Sequence, residues 1–209
     1  MTNAGRKATV TLVTAAAMMV AGRASANDEP TSATAGSEAT IVLHVTNYAG
    51  LSRDVLAAAG ARVAMVYERI GVRSVWVDGG VSLEQRQDGR LHLSILLLSR
   101  DMADLKIAAE GIKDGVLAQA HLPSGRAYIF CERIATAPGA PKYFPIPLGD
   151  VIAHEVGHLV LGANSHSGSG IMRAYTNVHA LHLQSFDKTQ ERIIRAVLIE
   201  PTARERRAN

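Results

Sequence analysis

The chain has 209 residues, a length that suits one domain with a sizeable core. Apolar residues make up 47% and aromatics 4%, which excludes wholesale disorder and requires an aliphatic, alanine-rich interior. Of 22 basic and 19 acidic residues, Arg6, Lys7 and Arg23 fall in residues 1–26 with no acid beside them, so 19 of each remain and a basic partner-seeker for nucleic acid is excluded.

The N-terminus reads MTNAGRK, then the apolar run ATVTLVTAAAMMVAG (8–22), then Ala24-Ser25-Ala26. Charged end, short apolar stretch and small residues are the order of a secretory signal peptide, with cleavage expected after Ala26. The run is shorter than a comfortable membrane span and no second one follows, so a secreted or periplasmic protein without stable membrane insertion is expected. Residues 27–39, NDEPTSATAGSEA, read as a flexible lead-in. A single catalytic-size domain is expected over residues 40–203, and residues 204–209, with ArgGluArgArg, as a solvated basic tail.

From Thr40 the pattern is regular. TIVLHVTNY (40–48) predicts a strand, and residues 51–71 predict a helix capped by Ser52. VRSVWVD (72–78) and LHLSILLLS (91–99) predict two more strands, the second apolar enough at its end to be buried on both faces. Residues 101–113 are compatible with a short helix. Residues 115–134 predict two strands joined by a turn at Pro123-Ser124-Gly125. Cys131, the one cysteine, lies in the second of these and reads as a small core residue; alone, it permits no intramolecular disulfide. Four prolines make residues 135–147 irregular. Residues 148–162 predict a helix. Residues 187–200 predict a closing helix, with Asp187 and Gln190 at capping-box spacing.

The chemistry is carried by HEVGHLVLGANSHSGSGIM (154–172). Residues four apart on a helix stand one turn above each other, so His154 and His158 project from one face and can reach one cation. Glu155 lies about 100° round the helix, poorly placed to join them as a ligand but able to reach a water bound beside them. That arrangement serves metal-assisted hydrolysis: imidazoles hold Zn²⁺, the metal lowers the water pKa to about 7, and a carboxylate takes the proton. Chance supplies such a pentapeptide about 0.014 times in a chain of this composition, so its surroundings carry the weight. They add to it. Gly162 can end the helix and reverse the chain, which would bring His166 back towards the first two imidazoles. Gly170-Ile171-Met172 then forms a tight turn whose methionine can pack beneath a metal.

This segment resembles the extended zinc motif of the metzincin metallopeptidases, H-E-x-x-H-x-x-G-x-x-H followed by a Met-turn. His154, Glu155, His158 and Met172 match it directly. The strand pair GVLAQAHLPSGRAYIF is similar to the one preceding the active helix in matrix-metalloproteinase-type domains. One departure is evident: Leu161 and Asn164 hold the places of the family glycine and third histidine, while Gly162 and His166 come one and two residues late.

The resemblance implies a zincin-like α/β (α+β) fold. Its sheet would be mostly parallel with an antiparallel edge strand, and it would pack on helix 51–71 and the active-site helix, with a C-terminal helix after. It also implies a zinc endopeptidase holding Zn²⁺ through His154, His158 and His166, with Glu155 as general base, Met172 in the Met-turn and a peptide or protein as substrate. Tyr175 is a weak candidate for a role beside the metal, three residues after Met172. His179 or His182 is the replacement ligand if His166 is not one. Two rival metal readings use Glu191 as a ligand from the last helix, or Cys131 as in peptide deformylases; the contexts DKTQERI and IFCERI match neither family. The different-class alternative is a non-catalytic exported binding module whose metal only staples residues 162–172 to the helix. His44, His92 and His121 lie in strand patterns without a nearby partner in sequence and carry no expected role.

Overall fold

The computed structural model describes residues 39–80, 88–137, 144–174 and 183–199. The expected signal peptide, most of the lead-in, Tyr175, His179, His182 and the basic tail lie outside these residues. No helix among the described residues is long and apolar enough to cross a membrane.

The elements are β1 (Thr40–Asn47), α1 (Arg53–Glu68), β2 (Arg73–Asp78), β3 (Leu91–Leu98), α2 (Arg100–Glu110), β4 (Ala118–His121), β5 (Arg126–Phe130), α3 (Cys131–Thr136), α4 (Pro145–Leu161) and α5 (Lys188–Ile199). The five strands form one sheet in the order β2-β1-β3-β5-β4. All neighbours are parallel except β4, which runs antiparallel to β5 at the edge. The mixed α/β fold with an antiparallel edge strand is as the resemblance implied.

Side chains alternate across a strand, so Ile41, Leu43 and Val45 face one way and join the main core with Leu93, Ile95 and Leu97. Helices α1, α4 and α5 supply the other half of that core, through residues such as Val63, Tyr67, Ile152, Val156 and Ile194. A smaller cluster of Leu98, Ala103 and Phe130 seats α2 on the opposite face. Ala39, just before β1, is buried, and its carbonyl accepts from Arg73 N–H at 2.8 Å.

One open segment is settled and two expectations change. Residues 101–113 resolve into helix α2, because Ser99 caps its start and Gly111, at φ 61°, ends it in the left-handed region. The strand expected to run through residue 134 stops at Phe130, opposite Leu98, the last residue of β3. With no partner strand beyond that point the chain turns into α3. The irregular proline run ends sooner than predicted, since α4 begins at Pro145. Pro145 and Pro147 sit in the first turn, where a missing N–H has no helical carbonyl to lose.

His44 and His92 also gain partners that the linear sequence hides. The register sets Val42 against His92 and His44 against Ser94, so the two rings meet diagonally across the strands. His44 Nε2 is 2.9 Å from His92 Nδ1, and His92 Nε2 is 2.8 Å from Asp88 Oδ1.

Candidate metal centre

Helix α4 carries the motif into the core. His154, Glu155 and His158 are all buried. The helix can be so apolar because α1 covers its other side, with Gly149 allowing close approach: a Cβ there would run into Arg62 and the Ala59 carbonyl at 2.6–2.8 Å. The helix ends at Gly162, whose φ of 102° is costly for any residue with a Cβ, and whose N–H closes on the His158 carbonyl at 2.8 Å. The chain then reverses as expected and returns His166 to the helix.

The three rings converge. His158 Nε2 lies 3.0 Å from His154 Nε2 and 3.0 Å from His166 Nε2. Among the described residues, these three form the group whose ligand atoms all lie within 4.8 Å of one another. Nitrogens at about 2.0–2.1 Å from a tetrahedral zinc are about 3.3 Å apart, close to this spacing.

Hydrogen bonding decides what those nitrogens present. His154 Nδ1 sits 2.7 Å from the Ile171 carbonyl, which only accepts, so Nδ1 carries the proton and Nε2 a lone pair. The Ser165 hydroxyl donates to the Gly162 carbonyl at 2.7 Å and therefore accepts from His158 Nδ1 at 3.0 Å. His158 Nε2 is then also a lone pair. Burial, first of all, opposes adding a proton: it pushes the His154 pKa down to about 4 and lowers that of His158. Two lone pairs 3.0 Å apart repel unless a cation lies against both, and soft-to-borderline nitrogen donors suit zinc. The donor set fits the metal. The Ile171 and Ser165 partners are the kind of support that orients ligating imidazoles.

Glu155 joins the same cleft of about 620 Å³, which runs between α4 and the edge strand and is lined also by Leu117, Ala118, Ala120 and Val151. Burial raises the Glu155 pKa to about 7, partly offset by the backbone N–H of Ala120. Met172 is fully buried beneath the helix. Its Sδ occupies the space a Cβ at Gly157 would need, one residue before His158. Ser167 N–H donates to the Met172 carbonyl at 2.8 Å, tying the His166 loop to the turn.

The rival ligands are elsewhere. Glu191 pairs with Lys188 at 2.9 Å. Cys131 is buried, its thiol pushed up to about 12 by burial and bonded to the Ile129 carbonyl. Neither belongs to the three-nitrogen group. The sequence reading missed Ser165 and the Ile171 carbonyl.

The chain matches no protein-family model and no curated protein. Among solved structures it is similar to the crystal structure of archaemetzincin from Methanopyrus kandleri, with 12% identity and a TM-score of 0.48 over 78% of this chain and 98% of that one.

Proposed function

We propose that this protein is an exported zinc metallopeptidase, cleaving peptide bonds in the cleft beside α4. The observation that carries the reading is the pair of buried Nε2 lone pairs on His154 and His158, with His166 closing on them and Glu155 in the same cleft. Zinc held by the three imidazoles supplies Lewis acidity, acidifying water and polarising a carbonyl. Glu155 takes a proton from water at its carboxylate and returns it to the leaving amine. Burial keeps that carboxylate short of competing solvent.

Strand β4 supports a peptide substrate. Leu117 and Phe130 share a backbone hydrogen bond, so the antiparallel alternation turns the N–H and C=O of Ala118 and Ala120 away from β5; the Ala120 N–H meets Glu155, and the N–H and C=O of Ala118 and the C=O of Ala120 face the open edge. An extended peptide can add there as a further strand and lie across the cleft. The N-terminal charged, apolar and small-residue order supports export, with cleavage after Ala26.

The test is metal content and casein hydrolysis of the purified protein beside Glu155→Ala and His166→Ala. Retained zinc with lost hydrolysis in Glu155→Ala is expected, together with zinc loss in His166→Ala. Zinc bound without hydrolysis in the wild type selects the structural-metal module instead.

A further inference from the structure

The C-terminal helix reaches the metal centre through one side chain. Gln190 is buried, and its Nε2 donates to the Ser165 carbonyl at 3.0 Å, across 25 residues of sequence. That carbonyl belongs to the peptide joining Ser165 to His166. The amide cannot turn away, because its Oε1 accepts from Asp187 N–H at 3.1 Å. Asp187 Oδ1 in return accepts from the N–H groups of Thr189 and Gln190 at 2.9 and 2.8 Å. The capping box therefore does two jobs. It starts α5, and it locks a rotamer whose remaining polar end points at the loop. The amide satisfies both contacts, since one end accepts and the other donates.

The same loop residue is bound on its other side. Ser165 Oγ accepts from His158 Nδ1 and donates to the Gly162 carbonyl. Gln190 thus holds the main chain of a residue whose side chain fixes one ligand and whose neighbour is another. The base of α5 also touches the turn below: the Ser185 carbonyl accepts from Ile171 N–H at 3.0 Å, and Ile171 in turn accepts from His154.

We infer that Gln190 is a positioning residue of the metal centre: it clamps the Ser165–His166 peptide so that His166 meets His158 and His154 at ligating distance. The inference rests on the three-histidine reading above. A glutamate at 190 is the informative change. It preserves the capping box, for which Glu is a usual partner, but sets a carboxylate oxygen against the Ser165 carbonyl. Gln190→Met removes the donor with no added charge. Asp187→Ala weakens the helix start while leaving the Gln190 amide in place.

Zinc affinity by competition with a chromophoric chelator, and the visible spectrum of the cobalt-loaded protein, are read on the full chain. Gln190→Glu and Gln190→Met are expected to lose tenfold or more in zinc affinity, about the range for supporting residues of a metal site, and to shift the cobalt bands. Asp187→Ala is expected to lower Tm with unchanged zinc affinity. Wild-type affinity and spectrum in both Gln190 variants overturns the inference, as does an equal affinity loss in Asp187→Ala. His166→Ala separates this from the underlying reading. If it holds zinc as tightly as wild type, the three-histidine site falls and the clamp with it; if it loses zinc while the Gln190 variants do not, the clamp alone falls.

Discussion

Arg62 and Asp150 form a buried two-pronged ion pair between α1 and α4, Nε to Oδ1 at 2.7 Å and Nη2 to Oδ2 at 2.9 Å. Asp150 stands one turn before His154, so this pair sets the depth at which the motif helix enters the core. Removing one partner leaves the other buried and uncompensated. Asp150→Ala is expected to cost about 3–5 kcal/mol of unfolding free energy, measured by urea titration of the metal-free protein. A loss below about 1 kcal/mol would show that the pair is relieved by solvent.

Gly157, next to the candidate ligand His158, packs against Met172 and Phe186. Alanine there competes with Met172 Sδ and with the Phe186 ring for the same space. Gly157→Ala is expected to destabilise by about 1–3 kcal/mol, the usual range for overpacking, and to weaken zinc binding because His158 is the next residue. Gly157→Ala combined with Met172→Ala is expected to regain part of the zinc affinity. No regain in the pair would remove the contact as the cause.

Glu155 makes the metal-free protein pH-sensitive. Its carboxyl goes from a pKa of 4.5 to about 7 on folding, so the folded state binds the proton more tightly than the unfolded state. The resulting penalty is absent below pH 4.5, grows between there and pH 7, and is complete above. Glu155→Gln is therefore expected to stabilise the metal-free protein by up to about 3 kcal/mol at pH 8 and by almost nothing at pH 4. Equal Tm increments at both values would contradict burial as the cause.

Cys131 is predicted to be inert while the fold holds. It is buried and its thiol is pushed up to about 12, so almost no thiolate exists at pH 8. Iodoacetamide is expected to label it only under unfolding concentrations of urea. Rapid labelling of the native protein, followed by mass spectrometry, is the contrary result.

Local features were legible. The spacing of His154, Glu155 and His158 needs only the 3.6-residue period of a helix, and α4 supplies it. The Asp187–Gln190 box likewise needs only the first turn of α5. Where a property depended on another strand, the reading faltered. The end of β5 at Phe130 is set by the end of β3, and the meeting of His44 with His92 by strand register.

By itself, the order of residues determined a helix presenting two imidazoles and a carboxylate, and a glycine to end it. These follow from short-range sterics and periodicity, which any chain segment carries with it. Only tertiary structure decided that His166 completes the trio. A ring's position after Gly162 depends on the path of a polar loop with no periodicity of its own. That path is set by Met172 close by in the chain, and by the segment around Ser185 and the amide of Gln190, which are distant in sequence and brought near by core packing.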